Sequence, residues 1–200
     1  MLIYIIRHGE TELNRLGIVQ GSGMDTELNA TGHAQAAAFH ARHQHVDFQL
    51  VVTSALRRTH QTVQPFLLQH IPWVQRADLN EISWGQHEGQ APTPEHLERY
   101  ERMIASWKRG DLQACLPGGE TAQQLLDRVQ RFVDWLKQRP EARILVATHG
   151  RTLRCLVALL KGWPPGHMEQ VPHANTGLYV LRLRDGHFEF LVENDTSHLR

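Results

Sequence analysis

Two short segments carry the residue types that chemistry on an anion needs. Arg7-His8-Gly9-Glu10-Thr11 follows the apolar run Leu2-Ile3-Tyr4-Ile5-Ile6 directly, and Thr148-His149-Gly150-Arg151 follows Ile144-Leu145-Val146-Ala147. A continuous apolar run of this length reads as a strand buried on both faces. Ligands of open α/β sheets bind beyond the carboxyl ends of such strands, so the two histidines are expected to face each other there across neighbouring strands. The glycine after each lets backbone N–H groups approach an anion closely. A helix opening at Gly150 adds its positive N-terminal dipole. Arg58 lies four residues after Ser54, just past a further apolar run, Leu50 to Ser54, where it could complete a phosphate pocket with Arg7. Singly, these pieces have ordinary readings: a loop after a strand, a solvated helix arginine. The repeated layout favours a site.

The elements that must position these residues follow from periodicity. Thr31 is read as the cap of a helix with Ala34, Ala37, Ala38 and Ala41 on its packed face. Arg57 to His70 has helical spacing, but Pro65 is expected to kink the helix or open a new one. Trp73 to Leu79 reads as a short strand, and Pro94 to Arg109 as a charged helix. After the break at Pro117-Gly118-Gly119, Thr121 and Gln124 form a capping box. Behind it, Ala122, Leu125, Leu126, Val129, Phe132, Val133 and Leu136 make a helical stripe ended by Pro140. Leu153, Leu156, Val157 and Leu160 make another, closed by Gly162, Pro164 and Pro165. Leu178 to Leu183 and Phe188 to Val192 flank the hairpin signal Asp185-Gly186. Strands alternating with helices predict an α/β/α three-layer sandwich, with a mostly parallel sheet and one domain over 1–200. The least sheet-like stretch, about 84–119, is expected to form a small helical cap over the site.

Composition narrows the partners. Lys plus Arg and Asp plus Glu both number 21, so no broad field points to nucleic acid or a membrane surface. No apolar run approaches the roughly 18 residues of a membrane span, and no basic segment marks Leu2–Ile6 as a signal peptide. Cys115 and Cys155 do not make a disulfide framework. These features predict a cytoplasmic protein. Its 14 histidines raise a metal reading, but His40, His43 and His45 are spaced three and two apart. That spacing does not put all three on one helix face, and no Cys or Glu supports a site. They read as solvated surface, and neither a metal nor another cofactor is expected.

The chain resembles the histidine phosphatase superfamily, the phosphoglycerate mutase-like proteins, over nearly its whole length. The Arg-His-Gly signature falls at Arg7-His8-Gly9, continued by Glu10, Thr11 and Asn14. A Ser-x-Leu-x-Arg-x-x-Gln-Thr segment matches Ser54, Leu56, Arg58, Gln61 and Thr62. Leu79, Glu81, Trp84, Gly85, Glu88 and Gly89 match a further segment, Pro117 to Thr121 a Pro-Gly-Gly-Glu-Ser/Thr turn, and His149-Gly150 the second His-Gly. The resemblance implies that His8 is the nucleophile, that Arg7, Arg58 and His149 bind phosphoryl oxygens, and that Glu81 protonates the leaving group. It places Asn14, Gln20, Gly21 and Gly150 around the phosphate and substrate. Leu13, Ile18 and Arg151 depart from the family pattern, and the last two border the pocket.

These residue types suit phosphoryl transfer, which depends on positioning and charge stabilisation. An imidazole with its unperturbed pKa near ~6.5 is partly neutral at physiological pH and able to attack phosphorus. A neighbouring guanidinium keeps it so. The expectation is a metal-independent phosphatase acting on a small phosphorylated metabolite through phosphohistidine. Two other readings stand beside it. Mutase-type transfer uses the same residues, but mutases of the family typically carry a longer insertion between the acid and the second His-Gly. An inactive phosphate-binding module is disfavoured because His8, Glu81, Arg7, Arg58 and His149 are all in place. The sequence names neither the substrate nor the oligomeric state.

Overall fold

The computed structural model describes residues 1–200. The chain runs β1 (Leu2–Arg7), α1 (Glu12–Arg15), α2 (Ala30–His43), β2 (Leu50–Thr53), α3 (Arg57–Leu67), β3 (Trp73–Gln75), α4 (Pro94–Lys108), α5 (Ala122–Lys137), β4 (Arg143–Thr148), α6 (Gly150–Leu160), β5 (Leu178–Arg184) and β6 (His187–Asp195). One six-stranded sheet has the order β3-β2-β4-β1-β5-β6. Its inner pairs β1–β4, β2–β4 and β2–β3 are parallel. β5 pairs antiparallel with β1 and β6 antiparallel with β5, the two joined through Asp185 and Gly186, both at positive φ, as a two-residue hairpin turn of type I′ requires.

Strand alternation sorts the core into two layers. Ile3, Ile5, Leu50, Val52, Ile144, Val146, Tyr179 and Leu181 face α4, α5 and α6. Ile6, Val51, Leu145, Ala147, Leu178 and Val180 face Phe39 of α2 and Val63 and Phe66 of α3. The architecture is therefore the expected three-layer α/β/α sandwich. No helix is long and apolar enough to cross a membrane.

Local details depart from expectation in four places. The cap of α2 is Asn29, whose side chain accepts from the Gly32 N–H, rather than Thr31. The buried face of α2 is Gly32, Ala36 and Phe39, while Ala34, Ala37 and Ala41 are exposed. A run of alanines leaves the packed face undecided, and the one bulky apolar residue decides it. Pro65 does not open a new helix, since α3 runs through it to Leu67. It falls in the last turn, and the Leu68 N–H still reaches the Gln64 carbonyl at 3.0 Å. Only Trp73–Gln75 is strand, because Ala77–Leu79 turns as a 3-10 helix into the Glu81 loop.

Candidate active site

Register brings the two His-Gly segments together. β1 and β4 align Arg7 with Thr148, so His8 and His149 both leave the sheet at the next residue. Their rings lie 5.1 Å apart at 58°. β2 aligns Thr53 with Ala147, which delivers Ser54 and the start of α3 to the same edge. Close packing of the His8 loop on α2 depends on glycine: a Cβ on Gly9 would stand 2.6 Å from the Gly32 carbonyl oxygen.

His8 is 2% exposed. Its Nδ1 lies 2.7 Å from the Gly9 carbonyl oxygen. A carbonyl only accepts, so Nδ1 carries the proton and Nε2 keeps its lone pair. Nε2 has no protein partner, and His8 lines a cavity of about 420 Å³. Burial, then the charges of Arg58 and Arg7, hold the His8 pKa well below the ordinary 6.5. The imidazole is neutral.

Arg58 and His149 lie one layer behind. Arg58 is fully buried and donates to the carbonyls of Met24 at 2.7 Å and Gly21 at 3.2 Å. Its Nε donates to His149 Nδ1 at 3.1 Å. Arginine cannot accept, so the proton of His149 sits on Nε2 and points to Ser54 Oγ, 2.8 Å away. Burial pulls the Arg58 pKa down to about 10. Burial and Arg58 hold His149 well below 6.5. Gly21 belongs to this layer too: a Cβ there would stand 2.1 Å from Glu88 Oε1.

Of the expected site residues, Arg7, His8, Asn14, Gln20, Glu81 and Gly150 form the cavity wall, and Arg58, His149 and Gly21 do not. Arg7 donates from Nη1 to the His173 carbonyl at 2.8 Å, while its Nε is buried without a partner. A guanidinium and a free imidazole lone pair on one cavity wall suit an anionic ligand. Glu81 spans the first turn of α6. It accepts from the backbone N–H groups of Arg151 and Thr152, both at 3.1 Å, and from that of Ile82 at 3.0 Å. Asn14 is held by the capping box of Thr11, and Gln20 donates to Thr11 Oγ1 at 2.6 Å.

Sequence reading missed Arg154, His173 and His96 on the wall. Arg154 lies one helical turn past Gly150 and was open to detection by spacing. His173 had no local signal. Burial and the charge of Arg154 push the His173 pKa down to about 3. No group of three or more His, Cys, Asp or Glu is gathered in a geometry suited to a metal ion.

This arrangement has counterparts. The family model of the histidine phosphatase superfamily (branch 1) matches residues 3–196. The chain belongs to that superfamily. The alpha-ribazole phosphatase of Shigella flexneri is 29% identical, with a TM-score of 0.84 over 98% of this chain and 96% of that one. A phosphoserine phosphatase of Entamoeba histolytica, solved with 3-phosphoglyceric acid, is 26% identical, with a TM-score of 0.84 over 100% and 99%. A Shigella dysenteriae protein named a probable phosphoglycerate mutase, GpmB, is 30% identical over 169 residues, 81% of this chain and 75% of that one.

Part of the cavity wall in this histidine phosphatase superfamily member comes from the stretch read as a cap. Trp84, His87, Leu97, Tyr100 and Leu116 line it. Trp107 lies behind them, 1% exposed, and Lys108 and Arg109 are not on the wall. Ile18 and Arg151, the departures noted in the sequence, both line the cavity.

Proposed function

We propose that the protein hydrolyses a small phosphomonoester in two transfers through His8. The observation carrying this reading is the free Nε2 lone pair of a neutral, buried His8 on a cavity whose wall also carries the Arg7 guanidinium, with its Nε unpartnered. In the first transfer Nε2 attacks phosphorus, a P–N bond forms, the ester P–O bond breaks, and Glu81 gives a proton to the departing oxygen. In the second, Glu81 takes a proton from water as its oxygen attacks, and the P–N bond breaks to release inorganic phosphate. Arg7 stabilises the charge spreading over the phosphoryl oxygens. Arg58 and His149 deepen the positive field from behind, and direct contact by either exchanges a bond it makes here. Residues 84–119 act as the cap that holds the leaving group.

The reading calls for no metal, because the wall offers guanidinium and imidazole groups where a magnesium site needs gathered oxygen ligands. Incubation with phenyl phosphate in EDTA should release phosphate. Brief mixing with a labelled ester should trap an acid-labile, base-stable adduct. Activity lost on chelation and restored by a divalent ion, or an adduct of opposite stability, contradicts it.

A mutase reading has one observation in its favour, the name of the GpmB relative. It uses the same His8 and differs only in the acceptor. Supplying 3-phosphoglycerate separates the two: isomerisation faster than phosphate release marks a mutase.

A further inference from the structure

Arg151 is an unusual residue to find on the wall of an anion pocket, because its charge is already taken up. It is 5% exposed. Its guanidinium is paired with Glu169 and donates to the Tyr100 hydroxyl at 2.6 Å. The same group lies over the rings of Trp84 and Trp107, 5.6 and 5.4 Å from their centroids, and those rings stack at 22°. Arg154 reaches the other oxygen of Glu169 at 2.7 Å. Arg151 thus ties together α4, which carries Tyr100 and Trp107, and the Pro165–Gln170 turn, which carries Glu169. Its own backbone N–H meanwhile holds Glu81 Oε2 at 3.1 Å.

We propose that Arg151 sets substrate specificity by exclusion: its side chain is the stop that limits the size of the leaving group. A cation meant to hold a second anion on the substrate would keep donors free in the cavity. Arg151 instead spends its donors on Glu169 and Tyr100 and lies over two indoles. It fills the seam between the cavity and Trp107, the largest fully buried side chain of the core. Shortening it opens the space between Trp84, Tyr100 and Trp107 toward the cavity. The substrate class that follows is a phosphomonoester with a leaving group compact enough to stop short of Arg151. This rests on the phosphatase reading above.

The test compares kcat/KM for phenyl phosphate and 1-naphthyl phosphate in the wild type, Arg151→Ala and Arg151→Gln. The wild type should prefer the smaller ester. Arg151→Ala should move the ratio toward the naphthyl ester by roughly tenfold or more, as expected when pocket volume decides. Arg151→Gln is shorter but still able to bond Tyr100 or Glu169. It should move the ratio the same way by less, and it serves if the alanine variant does not fold. A ratio within about twofold of wild type in a folded variant overturns the role of Arg151 and leaves the phosphatase reading intact. A wild type that releases no phosphate from either ester overturns that reading and this inference with it.

Discussion

At the inner end of the cavity, His8 and, one layer behind it, Arg58 and His149 are held by strand ends and the first turns after them. At the outer end, Trp84, Tyr100 and Arg151 meet across a loop, α4 and α6. The inner groups are joined by bonds that fix protonation as well as position: Gly9 sets the tautomer of His8, and Arg58 with Ser54 sets that of His149. The outer wall is aromatic and apolar apart from His87, Gln90, His96 and Arg151, and some of it is open, with Leu97 53% exposed. The difference separates two tasks. On the proposed reading, a phosphoryl group is the same in every ester, so the end that binds it is pre-charged. A leaving group varies, so its end is built from shape.

The comparison breaks most severely at His8, the proposed nucleophile. His8→Ala should lower turnover by at least about 10⁴-fold and abolish the trapped adduct, measured with nitrophenyl phosphate. An adduct persisting on that variant places the nucleophile elsewhere.

Glu81 stands at the junction of the two ends. Glu81→Gln should cost about 10²–10⁴-fold on an alkyl phosphate, whose alkoxide needs a proton, and much less on nitrophenyl phosphate, whose leaving group does not. Rates must follow phosphorylation of His8, since slow hydrolysis of the adduct would mask the contrast. Equal losses on both substrates would falsify the proton-donor role.

The inner end should also reveal itself in stability against pH. Folded His8 and His149 have depressed pKa values, through burial first and Arg58 second. Below about pH 6.5 the unfolded chain takes up protons that the folded chain refuses, so stability falls as pH falls. Each histidine adds a slope of up to ~1.4 kcal/mol per pH unit in that window. Urea unfolding should thus be easier at pH 5.5 than at pH 7.5, and the dependence should shrink in His149→Gln. A flat profile would mean that these imidazoles are charged in the fold.

The smallest effect belongs to the open part of the outer wall. Leu97→Ala removes a half-exposed side chain, so stability should change by no more than about 0.5 kcal/mol. KM for aryl phosphates should shift by a few-fold with little change in kcat. A large kcat loss would show that the outer wall does more than hold the leaving group.

Much of the fold was legible because strand and helix periods are local properties of the chain. The runs before His8 and His149, the stripe of α5 with its Thr121–Gln124 box, and the Asp185-Gly186 hairpin all lie where the pattern put them. The two His-Gly pairs were likewise readable, since each follows a buried strand. Where local pattern was ambiguous, packing decided. Phe39 rather than the alanines turned α2 inward, and Pro65 was absorbed in a final turn.

The amino-acid sequence by itself determined which strands end in reactive groups and which residue types stand there. Only the tertiary structure decided which of those groups face the cavity. Arg58 and His149 stepped behind the wall because carbonyls of Gly21 and Met24 and the Ser54 hydroxyl claimed their polar atoms. Arg7 found its backbone acceptor in His173, 166 residues away, and Arg151 found Tyr100 and Glu169 on separate elements. Such pairings arise where strand register and helix packing make distant segments adjacent. Each buried donor then takes the acceptor that the fold places within reach, a choice that no local period encodes.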